Sequence, residues 1–263
     1  MEMIMQVFPA FLLVLCRISA FFVVAPLFSS KSFPRTIKIG LAFFVSIIVF
    51  LNVGFDTKVT ADATYILAIV REVFAGLIIG YLAYLFFSIV QTAGGLMDLQ
   101  MGFGMANIVD PITGVTAPIM GNFKYMILIM VFLSINGHHY LLAAIMDSYK
   151  WLPLDNQLFQ VYYSGNVTEF LTRTFADTFL LALQISAPIV VAMFLTDFGL
   201  ALLARAAPQY NVFVIGLPLK IIVGLVLLIL LIPGFGTLFQ IVFDRMFEAL
   251  EHLFSILQRS STA

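Results

Sequence analysis

Arg17, the adjacent pair Arg71 and Glu72, Lys124, Gln184, Asp197 and Lys220 lie inside or at the rims of long apolar runs. Charged groups in such places either pair with one another inside protein or line a water-filled path. In hydrocarbon each would cost about 2.5–3.5 kcal/mol or more, so a lipid-facing helix has no use for them. The pattern points to ion pairs and hydrogen bonds within a membrane-associated assembly. Covalent chemistry is harder to build. The neighbouring His138 and His139 invite a metal reading, but no nearby cysteine or spaced carboxylate completes a four-ligand set, and His252 is far along the chain. A kink or polar packing suits them better. His138, His139, Asp147 and Asp98 offer no nucleophile, base and orienting group that sequence alone can bring together. Cys16 is the single cysteine, which excludes an internal disulfide and a cysteine-built metal site. No glycine-rich nucleotide loop ending in Gly-Lys-Ser or Gly-Lys-Thr is present. The residues therefore predict no metal, no cofactor and no enzyme. A formal net charge of -1 gives no basis for a nucleic-acid partner.

The elements that must position these groups are apolar stretches. Six are legible, approximately 4–27, 37–55, 65–90, 119–146, 175–203 and 212–243. Crossing the hydrocarbon layer takes about 20 residues, and all six are near or above that length. Of the 263 residues, 62% are apolar and 10% are charged, far below the charged share of about 25% in soluble domains. Mean hydropathy is +1.08. These values predict an integral membrane protein; an unusually apolar soluble bundle is the rival. Only Glu2 precedes the first stretch, which also outlasts a signal-peptide core, so it reads as retained.

Charge sets the orientation weakly. If all six stretches cross, one side carries Lys31, Arg35, Lys38 and Arg205, and the other Lys58, Lys150, Arg173, Arg245 and Arg259. The tight group Lys31–Arg35–Lys38 leans toward a cytosolic first loop. The near-balance suggests helices that do not cross a bilayer in the ordinary way.

Local signals divide the chain further. Pro9 suits the first turn of a helix that Pro26 ends, and Pro34 restarts the chain. Arg71 and Glu72 point about 100° apart on a helix, so each is expected to find a partner of its own. Gly76 and Gly80 share a face and permit close helix packing. The connection 91–118 has no lysine or arginine but five glycines, three methionines and two prolines. That composition suits a deformable plug or a re-entrant packing loop rather than a solvated connection or an ordinary helix. Trp151, Tyr149, Tyr162 and Tyr163 read as boundary aromatics. The glycosylation-like triplet Asn166-Val167-Thr168 reads as accidental. The last two stretches form a hairpin turning near 205–211. Pro188, Pro218 and the run 233–236 should break its arms, and an amphipathic tail follows from Asp244. On these grounds alone a secondary transporter for a small solute competes with a protein channel. No inverted repeat is visible to support it.

The chain resembles the FliR family of flagellar and virulence-associated type III secretion membrane proteins. The likeness rests on Arg17 with Pro26, and on Arg71–Glu72 followed by Gly76 and Gly80. It continues through Gln91, Gly94, Asp98, Gln100, Gly102, Asp110–Pro111 and Asn136–Gly137–His138. It ends in Ala207–Pro208–Gln209, Asn211 with Phe213, Gly216, and Pro218 with Lys220. The resemblance implies an all-α fold: membrane-associated bent helical hairpins forming one subunit of a helical export-gate assembly. It implies a FliP-like portion at 1–175, with a plug loop near 106–118, and a FliQ-like hairpin and tail at 176–263. Arg17, Arg71, Glu72, Gly76, Gly80 and Lys220 would be structural, and Met101, Met105, Ala106, Asn107, Asp110 and Pro111 would belong to the pore and plug. The implied partners are FliP-like and FliQ-like gate subunits, FlhB-like and FlhA-like export components, unfolded export substrates and membrane lipid. The implied role is passage of unfolded flagellar proteins across the bacterial inner membrane at the flagellar basal body. The equivalent virulence role is the alternative.

Overall fold

A computed structural model describes residues 2–30, 34–53, 64–104, 118–154, 166–209 and 211–261, and all regular structure among them is helical. The helices are α1 (Glu2–Val24), α2 (Arg35–Val53), α3 (Thr64–Met101), α4 (Ile119–Ser134), α5 (Gly137–Trp151), α6 (Asn166–Ala206) and α7 (Val212–Ser261). Four contain stretches long and apolar enough to cross a membrane: Arg35–Asn52, Tyr65–Met101, Asn166–Ala206 and Val214–Leu257. The pair α4 and α5 offers a fifth, and Phe8–Val24 of α1 is apolar as well. The six apolar runs thus map onto four candidate spans, one interrupted pair and α1.

The ends of the helices have local causes. After α1, Leu27 takes a positive φ of 72°, which turns the chain beyond Pro26. Gly102, at φ 89°, stops α3 in the left-handed conformation that glycine adopts without a Cβ penalty. Asn136, at φ 57°, separates α4 from α5, and asparagine tolerates that region better than most residues. Asn211 opens α7 by accepting the N–H groups of Val214 and Ile215.

Several breaks expected from sequence are absent. Pro188 lies within α6, and Pro218 and Pro233 lie within α7. A proline deletes one donor, and the remaining ladder of these long helices carries the chain past it. Pro9 is also well inside α1, beyond its first turn. The stretch 91–101 is the end of α3 rather than part of a loop. Gly94 explains why its glycines are tolerated: a methyl there would overlap the backbone of Gly121, so the bare backbone is what permits the contact. That closeness offsets a helix-propensity loss of about 1 kcal/mol.

The chain forms two compact units. The first comprises Met1–Leu85, Leu133–Phe175 and Asp244–Ala263, and the second Phe86–Phe132 and Ala176–Phe243. In the first, Phe11 of α1 meets Phe43 and Phe50 of α2 edge-on, with centroids 5.9 and 5.7 Å apart. Ala75 and Ile79 of α3, Leu152, Val167 of α6, and Leu253 and Leu257 of α7 close around a void of only about 10 Å³. In the second, Met97, Met101, Ile189 and Met193 form a buried core, packed by Phe103, Ile185, Val223, Leu227 and Leu231. Phe132 lies 5.0 Å from Phe87 and 5.2 Å from Phe243. Where lipid surrounds such units, tight packing and polar contacts must hold them, because lipid tails are as apolar as leucine.

Candidate functional site

The first unit holds a buried charge node. It begins with the close approach of α1 and α3. A methyl at Gly76 would overlap the carbonyl oxygen of Arg17, and one at Gly80 would lie 3.1 Å from the carbonyl oxygen of Phe21. With the backbones so near, the Arg17 side chain reaches Glu72 on α3. Nε donates to Oε2 at 2.6 Å and Nη2 to Oε1 at 3.0 Å. This two-bond fork is the strong form of a guanidinium–carboxylate contact. Arg17 also donates from Nη1 to the Ser148 hydroxyl at 3.0 Å and from Nη2 to the Leu152 carbonyl at 2.8 Å. Its guanidinium carbon lies 3.9 Å from the centroid of the Tyr149 ring. Tyr149 in turn donates to the Val14 carbonyl at 3.3 Å.

Arg71 joins the same carboxylate. Its Nε and Nη2 donate to Glu72 Oε1 at 3.2 and 2.8 Å. The two neighbours thus meet directly, where the sequence suggested that neither need neutralise the other. Glu72 does find a remote partner in Arg17, but the flexible Arg71 side chain also closes the angle between adjacent positions. Arg17, Arg71 and Glu72 are 1%, 3% and 0% exposed. A node this dry and well bonded orders α1, α3 and the end of α5. It presents no open face for a substrate.

The second unit carries two more polar features. Both carboxylate oxygens of Asp98 accept the Met120 N–H, at 3.2 and 3.0 Å. They thereby satisfy an orphan donor in the first turn of α4. One turn on, Lys124 is only 2% exposed. Its ammonium lies 2.6 Å from Met97 Sδ and 4.9 Å from the centroid of the Phe235 ring. Nearer the hairpin turn, Lys220 Nζ and Asp197 Oδ1 are 2.6 Å apart. That pair borders a cleft of about 550 Å³ lined by Leu99, Gly102, Leu200, Val212 and Leu217.

Met101 is fully buried against α7 in this unit. Met105, Ala106, Asn107, Asp110 and Pro111 lie outside the described residues. Gln184 is exposed on α6. The His138 and His139 ring centroids lie 4.3 Å apart with the rings tilted by 42°, and among the described residues no group of three or more metal-ligating side chains comes together.

Sequence reasoning missed Ser148, Tyr149, Met97 and Phe235. Tyr149 read as a boundary aromatic but is buried over Arg17. Its signal was the Ser148–Tyr149 step, a hydroxyl and an aromatic late in an apolar helix, matching the needs of a buried guanidinium. Met97 read as part of the deformable connection 91–118 and Phe235 as part of the break at 233–236, and nothing in the sequence marked them as cation neighbours.

Comparison with known proteins gives consistent results. The model of the family "Bacterial export proteins, family 1" matches residues 8–246. The chain is 39% identical to the flagellar biosynthetic protein FliR of Bacillus subtilis, over 98% of this chain and 99% of the relative. It is 28% identical to FliR of Escherichia coli, over 92% of each. It is also 32% identical to the Yop proteins translocation protein T of Yersinia pestis, over 87% of this chain and 88% of the relative.

Proposed function

Because this chain belongs to the bacterial export proteins, family 1, we propose that it acts as the FliR-type core subunit of the flagellar type III protein export gate. It is a multi-pass protein of the bacterial inner membrane, at the flagellar basal body. The observation that carries the reading is the near end-to-end likeness to a flagellar biosynthetic protein. The relative of the virulence type, 32% identical, supports the alternative cargo.

The work of such a subunit is passage of unfolded protein through a closable channel, without covalent catalysis. Its energy comes from partners or the membrane potential. FliP-like and FliQ-like chains are the neighbours in this proposal, with FlhB-like and FlhA-like components completing the export machinery. The portion 1–175 takes the FliP-like place and 176–263 the FliQ-like place. Exposed apolar residues such as Phe179, Phe194, Phe198, Ile222, Ile229 and Leu230 leave α6 and α7 with ample surface for lipid or neighbouring helices. The buried node of Arg17, Arg71 and Glu72 is the internal frame, and the segment 106–118 is the plug.

Two experiments test this reading. The gene is introduced into strains lacking either the flagellar or the virulence subunit, and secretion of each cargo is measured. Restored flagellar secretion is expected; rescue of the virulence strain alone reassigns the cargo, and rescue of neither overturns the export role. Separately, residues 106–113 are deleted and ion conductance of the assembled resting complex is measured in bilayers. Raised leakage is expected. Normal assembly with unchanged leakage makes the segment a packing loop.

A further inference from the structure

The end of α3 packs along α7, and its closest approach is at Met101. Met101 is the last residue of α3 and is fully buried. Its side chain fills a notch that Gly224 cuts into α7. A Cβ on residue 224 would overlap the Met101 methyl and lie 2.8 Å from its Cγ and 2.9 Å from its Sδ. Met97, one turn earlier on the same face of α3, sits in the same core with Ile189 and Met193 of α6. Immediately beyond Met101, Gly102 at φ 89° ends the helix. The contact therefore lies at the last point where α3 is a rod, and it is a knob set in a hole within the apolar seam that Val223, Leu227 and Leu231 continue along α7. The knob is unbranched and flexible, so it can leave and re-enter its hole without backbone strain. The hole exists only because position 224 has no side chain.

We propose that Met101 and Gly224 are a positioning pair, a releasable latch between α3 and α7 that holds the resting gate and must part for export. The proposal rests on the export-gate reading of the chain. Seated, the latch fixes the end of α3 against α7. Released, it frees the two helices to shift relative to each other while Met97 and the residues around it slide on soft thioether contacts.

The geometry permits a direct test. The 2.8 Å approach to Cγ places a Cβ at 224 within about 4.3 Å of the Met101 Cβ, inside the range that a disulfide bridges. The doubly substituted Met101→Cys/Gly224→Cys chain is assembled in the native complex and oxidised in membranes. Cross-linking is scored by gel shift, and export of a flagellar substrate is compared before and after reduction. Loss of export on oxidation and its return on reduction are expected. Equal export by the fully cross-linked and reduced forms overturns the latch. A second variant, Met101→Ala, removes the knob without adding bulk; its resting complex should leak ions several-fold more than the intact one, and an unchanged leak also counts against the proposal. Failure of the underlying reading looks different, since there a strain lacking the whole chain exports normally.

Discussion

Glu72 is where the stability of the first unit is most concentrated, and Glu72→Ala measures it. Its carboxylate accepts four donor contacts, at 2.6 and 3.0 Å from Arg17 and at 3.2 and 2.8 Å from Arg71. Taken singly, hydrogen bonds to charged groups contribute about 1.5–3 kcal/mol each. They are not additive, because both guanidinium groups relax when the carboxylate goes. The better guide is the cost of breaking a buried ion pair from one side, about 3–5 kcal/mol. A loss of about 4 kcal/mol is roughly a thousandfold in the folding equilibrium. It amounts to a large part of the roughly 5–15 kcal/mol that holds an ordinary fold together. At about 2–4 °C per kcal/mol for a chain of this size, the unfolding midpoint should fall by roughly 8–16 °C. The assay is the yield of assembled complex per membrane fraction, together with its thermal midpoint in detergent. Arg17→Lys provides the graded control. One ammonium cannot serve both carboxylate oxygens, the Ser148 hydroxyl and the Leu152 carbonyl in the fixed fork that arginine supplies, so an intermediate loss is expected. A Glu72→Ala complex formed at normal yield, melting within about 2 °C of the parent, would refute the idea that the node holds the unit together.

Three further outcomes follow from the close contacts and from the buried amine. Gly76→Ala should lower the thermal midpoint clearly, because the new methyl meets the Arg17 carbonyl oxygen, whereas Gly80→Ala needs shifts of only a few tenths of an ångström and should be milder; equal effects would mean that the helices part freely. Gly94→Ala should prevent or weaken assembly through its clash with Gly121. Gly95→Ala, with only ordinary contact to Pro118 at 3.6 Å, should gain up to about 1 kcal/mol from helix propensity in a denaturation series. Lys124→Met removes a buried ammonium that is electrostatically coupled to the buried Asp98 carboxylate as well as set against a thioether and a ring, so the midpoint should fall; a midpoint that holds or rises would show that the charge adds nothing to the native assembly.

The placement of charge was legible because burying it carries the same penalty in any fold. That argument marks Arg17, Arg71, Glu72 and Lys124 as residues needing partners, but it does not say which. Arg17 and Glu72 are 55 positions apart, and only the passage of α1 over Gly76 and Gly80 joins them. The rule that adjacent helix positions diverge misjudged Arg71, because a long guanidinium side chain reaches around the helix surface. Composition misled in the opposite direction at 91–101. Glycine there reads as helix-breaking until the contact with Gly121 is known, and that contact is tertiary. Prolines 188, 218 and 233 misled for a related reason, since a missing donor is a local loss within a very long ladder. The hairpin turn read near 205–211 was legible because Pro208 and Asn211 act within a few residues of themselves, and the helices end at Ala206 and resume at Val212.

The first unit is assembled from three separated parts of the chain, and its last part begins at Asp244. Met246, Leu250, Leu253 and Leu257 of that part are buried. Protein synthesis runs in one direction, so the ribosome delivers Arg17 and Glu72 long before these residues. Until they arrive, Ala75, Ile79 and Leu152 lack the side chains of Leu253 and Leu257 that close over them. Insertion and folding are thus out of step: early helices enter the membrane while the unit to which they belong is still open. A nascent chain cut short before Asp244 would leave a recognisable apolar wound for quality-control proteases. A tag or fusion placed in this tail would intrude on the last closing step rather than on a dispensable end.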